Sequence, residues 1–151
     1  MAAYRRVLCA VQPDGRGEGV VRRALRMARL EGCEVGVVVV MDFHTGFESD
    51  HIPFRTPAEI KAEMVRYLEG RLQGMLEKLG CREWVRGWVV AGDPEREVGR
   101  QAGEWGADLV VVGSRESYAL QRSWRGDVLV VQPESDPWRG LKMALSFQSV
   151  K

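Results

Sequence analysis

Few of the side chains able to do chemistry in this sequence stand at spacings that chemistry requires. His44 and His51, the two histidines, share a polar stretch with Asp42, Glu48 and Asp50. Imidazoles beside carboxylates suit a divalent transition metal. Their spacing matches no metal motif, and the polarity of a loop accounts for it, so no metal is expected. Cys9, Cys33 and Cys81 are an odd set without C-x-x-C spacing, which argues against a disulfide framework or a zinc knuckle. Cys33 and Cys81 each follow a glycine at the entry to a predicted strand. If those strands are neighbours, the two thiols lie close together; small apolar residues filling tight entries is the plainer reading. Ser114 has no G-x-S-x-G elbow, and no Ser/His/Asp arrangement has motif support, so no catalytic residue is expected. One candidate ligand loop remains, residues 113–127. Gly113-Ser114-Arg115 opens it, Gly126-Asp127 closes it, and Arg122 and Arg125 lie within.

The elements that would position this loop follow from hydrophobic periodicity. Residues 7–11 are an unbroken apolar run, as expected of a strand covered on both faces. After the turn-forming Gln12-Pro13-Asp14-Gly15, Val21, Ala24, Leu25 and Ala28 recur at helical spacing opposite four arginines, and Gly32 is placed to end that helix. Residues 35–41 form the second buried strand. Thr56 and Pro57 read as the N-cap and first residue of a long helix. Its core face is Ile60, Met64, Leu68, Leu72, Met75, Leu76 and Leu79, and it ends at Gly80. Residues 84–91 read as the third strand. Asp93 is placed as an N-cap and Pro94 as the first helical residue, with Glu95 and Glu97 in the positive first turn. Val98, Ala102 and Trp105 form the buried stripe, and Gly106 stops the helix. Residues 109–112 and 128–131 are the fourth and fifth strands. Alternation of strand and helix predicts an α/β protein with a parallel sheet and right-handed crossovers.

At 151 residues the chain fits one domain, residues 1–133, followed by a tail, residues 134–151. In the tail Leu141, Met143, Leu145 and Phe147 alternate with Lys142, Ala144 and Ser146. That period predicts an extra or exchanged edge strand. A net charge of +1 gives no global field to recruit nucleic acid or an anionic membrane, and neither is expected as a partner. No apolar stretch approaches the roughly 20 residues that span a bilayer. The first residues have no signal-peptide layout, so the expected compartment is the cytoplasm. The five tryptophans read as packing residues, with Trp124 and Trp138 as interface anchors.

Gly92-Asp93-Pro94, a helix, and then Gly106-Ala107-Asp108-Leu109-Val110-Val111-Val112-Gly113-Ser114-Arg115 closely resembles the hallmark segment of universal stress proteins: a G-x-P, a helix and an ADLIVMGSR-like strand end. Tyr4-Arg5-Arg6-Val7-Leu8-Cys9-Ala10-Val11 resembles their first strand, and the likeness runs over residues 4–132. The resemblance implies a Rossmann-like, three-layer α/β/α fold. It also implies a five-stranded parallel sheet of order 3-2-1-4-5, a homodimer, and a ligand site at the strand C-termini, where open α/β sheets bind ligands.

Nucleotide-binding members of that family carry G-x2-G-x9-G-[S/T] after the fourth strand. Glycines let backbone N–H groups approach phosphates, and the last pair opens a helix whose N-terminus favours anions. Here Gly113 stands at the first glycine, Glu116 at the second and Gly126 at the third, and Asp127 replaces the hydroxyl residue. Val128 follows at once, so the spacing leaves no room for the helix before the fifth strand. Gln12 stands where the family ends its first strand in aspartate, with Asp14 as a substitute two residues on. Val40 matches a valine that lines the adenine pocket. The residues that would hold a nucleotide, should one bind, are therefore Gln12, Asp14, Val40, Gly113, Ser114, Arg115, Gly126 and Asp127. A carboxylate about 4 Å from a phosphate charge costs on the order of 1 kcal/mol in water and about 4 kcal/mol at a semi-buried site. Micromolar binding begins near about −8 kcal/mol, so two such carboxylates push it toward millimolar.

The leading expectation is a non-catalytic protein of universal-stress type that acts through dimerisation or partner binding, with nucleotide binding lost. The homodimer would form through the fifth strand and the tail. The alternative is an ATP- or AMP-binding regulatory module that uses the altered loop in a non-standard way, with no cofactor beyond such weak nucleotide binding. A hydrolase or transferase of the wider adenine-nucleotide class is disfavoured because no base–nucleophile pair is visible. The tail's Trp138-Arg139-Gly140-Leu141-Lys142-Met143-Ala144-Leu145 faintly echoes residues 4–11, as the stub of a second repeat would.

Overall fold

The computed structural model describes residues 4–13, 17–42, 56–114, 120 and 122–132. The tail beyond Gln132, both histidines, Asp14, Arg115, Glu116 and Trp138 lie outside the described residues. Among the described residues five strands alternate with three helices: β1 (Arg6–Val11), α1 (Glu18–Glu31), β2 (Glu34–Met41), α2 (Pro57–Lys78), β3 (Arg86–Ala91), α3 (Pro94–Trp105), β4 (Leu109–Gly113) and β5 (Asp127–Val131). All pairings are parallel, in the order β3-β2-β1-β4-β5. This is the three-layer α/β/α fold that the sequence predicts.

Alternation of side chains along the strands sorts the core into two layers. Val7, Cys9 and Val11 of β1 point with Val35, Val37 and Val39 of β2 toward α1 and α2, where Val21, Ala24, Leu25, Leu72 and Leu76 meet them. Leu8 and Ala10 point the other way with Val38, Val40, Val110 and Val112, toward Val98, Ala102 and Trp105 of α3 and toward Leu120. Helix ends follow the punctuation. The Thr56 hydroxyl accepts the Glu59 amide at 3.2 Å ahead of Pro57, and Gly32 and Gly106 end α1 and α3 at φ 73° and 78°, a region open to glycine at little steric cost. Asp93 holds the N-cap position of α3 without a side-chain cap hydrogen bond.

One strand boundary differs from the sequence reading by more than a residue. β3 begins at Arg86, not at residue 84. The amides of Trp84 and Val85 bond back to the Cys81 carbonyl at 3.2 and 3.0 Å, and this turn leaves Trp84 47% exposed. No helix separates Gly126 from the fifth strand, as the spacing predicts, since β5 begins at Asp127; helical backbone in the β4–β5 connection lies earlier. Leu120 is helical, and the amides of Ser123 and Trp124 both reach its carbonyl, at 3.2 and 3.0 Å.

The three cysteines are buried and reduced in one core layer. Burial pushes the Cys9 thiol far above its ordinary range, with smaller contributions from Cys33 and Cys81. Burial likewise raises Cys33 and Cys81. Thiols held protonated in this way are inert packing groups.

Candidate functional site

In a parallel sheet every strand-to-helix turn opens at the strand C-termini, so that edge gathers the ends of several elements into one place. Here it holds a cavity of about 470 Å³. Its floor is apolar: Ala10 and Val11 from β1, Val40 and Met41 from β2, Val112 from β4, Val98 from α3, and Leu120. Its rim is polar, made by Gln12 and Pro13 after β1, Asp42 after β2, and Asp93, Pro94 and Glu95 at the start of α3. A cavity of this size with an apolar floor and a few convergent polar groups suits a small organic ligand.

The residues implied by the resemblance fall into three groups. Gln12 and Val40 line the cavity, and Gly113 with Ser114 follows directly on the lining residue Val112. Asp14 and Arg115 lie outside the described residues. Gly126 and Asp127 stand away from the cavity lining. Gly113 pairs with Val131 at the C-terminal edge, whereas Asp127 pairs with Leu109 at the N-terminal edge. Four steps of roughly 3.3 Å separate these levels, about 13 Å in all. The spacing Gly113 to Gly126 therefore marks no single loop. It spans a crossover from one end of the sheet to the other.

Both residues have local reasons to be what they are. A Cβ on Gly126 would collide with the indole of Trp124, whose ring N–H donates to the Asp127 carbonyl at 3.1 Å. The Asp127 carboxylate accepts the Tyr4 hydroxyl at 2.8 Å. That bond, chiefly, raises the Tyr4 phenol above its ordinary range. The crossover is also tied down midway. The Ser123 hydroxyl donates to the Glu95 carbonyl, and a Cβ on Gly99 would strike the Ser123 backbone.

Sequence reasoning missed Asp42, Asp93, Pro94, Glu95 and Leu120 as lining residues. Asp93, Pro94 and Glu95 were legible only as helix punctuation. Their place after β3 in a parallel sheet also puts them at the mouth, and that topological signal would have found them. The carboxylates change the electrostatics. Among the described lining residues three are acidic and none is basic. The positive end of the α3 dipole opposes them only in part, since a helix terminus acts as about half a charge.

A smaller cavity, about 230 Å³, lies on the other side of Gln12 and Pro13, between the start of α1 and the later turns of α2. Its lining carries one acid, Glu18, and two bases, Arg71 and Lys78. Glu18 pairs with Lys78 at 3.2 Å and with Arg22 at 2.6 Å, and the Lys78 bond is the main cause holding its carboxyl below the ordinary range. Among the described residues no group of three His, Cys, Asp or Glu side chains is placed to hold a metal ion. No helix among them is long and apolar enough to cross a membrane.

The fold recurs in solved structures. A universal stress protein family member from Burkholderia pseudomallei matches with a TM-score of 0.68 at 22% identity, over 86% of this chain and 96% of that one. A universal stress protein in complex with cAMP matches with a TM-score of 0.56 at 19% identity, over 88% and 100%. A putative universal stress protein from Pseudomonas aeruginosa matches with a TM-score of 0.59 at 17% identity, over 94% of this chain and 52% of that one. Identities this low speak for the fold alone. No curated protein matches the chain in sequence. The family model for universal stress proteins matches residues 3–130, nearly the whole described sheet. The chain belongs to the universal stress protein family.

Proposed function

We propose that this member of the family is a non-catalytic regulatory protein of the stress response, that it has lost tight nucleotide binding at its cleft, and that it acts as a homodimer through β5 and the tail. The observation that carries the reading is the split of the phosphate motif. Gly113 and the Gly126-Asp127 pair stand at opposite ends of the β4–β5 ladder, so they cannot cradle one phosphate chain together. The lining carboxylates Asp42, Asp93 and Glu95 add to this. At a semi-buried mouth each would cost a phosphate charge a few kcal/mol, against about −8 kcal/mol for micromolar binding. Family membership favours a non-enzymatic role. Equilibrium binding of labelled ATP to the purified chain tests the reading: binding no tighter than the high micromolar range is expected, and a low-micromolar dissociation constant would sink it.

A second reading is an ATP- or AMP-binding regulatory module using the altered loop. The cavity favours it, because its volume and its apolar floor at the ends of β1, β2 and β4 suit an adenine ring, and one relative of the same fold was solved with cAMP. In that case Arg115 and Ser114 would meet the phosphates. Arg115→Ala would then weaken nucleotide binding at least tenfold, whereas under the first reading it changes nothing measurable.

A further inference from the structure

We propose that the smaller cavity, between the start of α1 and the later turns of α2, binds a small organic anion: a carboxylate carried on a compact apolar body. This site is separate from the cleft to which the nucleotide readings above refer. Its strand residues, Val11 and Val39, belong to the core layer under α1 and α2, whereas most of the cleft floor belongs to the layer under α3.

The walls fit an apolar body. Val11 and Val39 come from the strand ends, and Leu68, Leu72 and Met75 from α2. Two glycines shape the space between them. A Cβ on Gly17 would collide with Val11, so glycine lets α1 begin hard against the end of β1. Gly74 lines the α2 wall, and a Cβ there would meet nothing within 4 Å. Glycine inside a helix is destabilising relative to alanine, and at this position it leaves open space on the wall. The cavity measures about 230 Å³. An engineered apolar cavity of roughly 150 Å³ takes up benzene, so this one has room for a ring and one charged group.

The charges select the sign of that group. Glu18 is the acid among the described lining residues, and it already meets two cations, Lys78 at 3.2 Å and Arg22 at 2.6 Å. Arg71 is left over. Its guanidinium lies over the Tyr67 ring, 5.9 Å from the centroid, and has no carboxylate partner among the described residues. The start of α1, capped by Gly17 without a side-chain hydrogen bond, adds to the same sign. The cleft on the other side of Gln12 and Pro13 is lined by Asp42, Asp93 and Glu95. An organic anion arriving at this end of the sheet is therefore repelled from the larger cavity and drawn to the smaller one.

Titration of the full chain with benzoate, and with benzamide as its uncharged analogue, tests the assignment through amide chemical shifts. Benzoate should shift residues 17–19 and 71–78 saturably, with a dissociation constant of roughly 1 mM or tighter. Benzamide should bind at least about tenfold more weakly, and Arg71→Gln should weaken benzoate by about the same factor. Gly74→Leu, which builds into the open space, should also weaken benzoate at least about tenfold. Melting temperatures show whether each variant folds; Arg71 is on the surface, so its variant decides the matter should Gly74→Leu unsettle the helix. No saturable shift overturns the proposal, and so do shifts confined to residues 93–95 and 112–114. Equal binding of benzamide, or a folded Arg71→Gln that binds benzoate as the parent does, overturns the choice of an anion.

Discussion

The two faces of this sheet are built from the same strands, often from adjacent residues, and they are closed very differently. Under α1 and α2, Val7, Cys9, Val37, Leu76 and Cys81 are fully buried, and two long helices cover the layer. Under α3 the centre is equally dry at Leu8, Val38, Val110 and Val111's neighbour Val112, but one helix and the turn at Leu120 must cover it. The flanks stay partly open, at Trp88 and Val90 on β3 and at Val128 and Val130 on β5. Two indoles and a glycine adapt the α3 face to this cover. Trp88 and Trp105 meet edge to face, with ring centroids 5.4 Å apart, over Gly36, where a Cβ would approach the Trp88 ring to 2.6 Å. The β4–β5 crossover thus has two consequences at once. It carries the third motif glycine away from the cleft, and it leaves the β5 flank available.

The contrast between faces can be broken by substitution. Leu76→Ala, on the doubly covered face, should cost about 3 kcal/mol by leaving a cavity in a packed layer. Val130→Ala, on the open flank, should cost under about 1 kcal/mol in the dilute monomer. Urea denaturation measures both, and equal losses would remove the distinction. Gly99→Ala should cost on the order of 1–3 kcal/mol, because the new methyl meets backbone at Ser123 and must displace the crossover. Faster proteolysis near Arg122 and Arg125 is the expected sign; an unchanged cleavage rate would mean that the crossover is not held by α3.

The smallest effect concerns the N-terminal edge of the sheet. Tyr4 donates to the Asp127 carboxylate, and this raises its phenol above the ordinary value of 10.0. A neutral form favoured by folding contributes stability below that ordinary value, and loses it as pH rises through the raised one. Absorbance titration should therefore find one tyrosine ionising late, and Asp127→Ala should return it toward the others. A late tyrosine that ignores Asp127→Ala would contradict the placement of Asp127 at this edge.

Much of this fold is legible in the sequence because its signals are local. Apolar runs mark β1 and β2, period 3.6 marks the helices, and Gly32, Pro57, Pro94 and Gly106 mark ends. Trp84 misleads because a β-favouring side chain sits in a turn whose cause is the Cys81 carbonyl, a contact that no propensity encodes. The candidate site is harder to read, because motif spacing along the chain does not say at which end of the sheet a residue stands. Gly113 and Gly126 keep the family's interval, yet Gly126 directly precedes a strand and must lie at the N-terminal edge of any parallel sheet. Asp93 and Glu95 fail in the opposite sense. They look like helix caps in sequence, and topology makes them the rim of the cleft.

The central claim is that the working surface of this protein is the β5 edge and not the cleft. Hydrogen exchange on the full chain, with and without micromolar ATP and at high and low protein concentration, tests it most directly. Protection of residues 127–131 should rise with protein concentration, while residues 10–13 and 112–114 respond to neither variable. Protection of residues 10–13 and 112–114 by ATP, with residues 127–131 indifferent to concentration, would contradict the account.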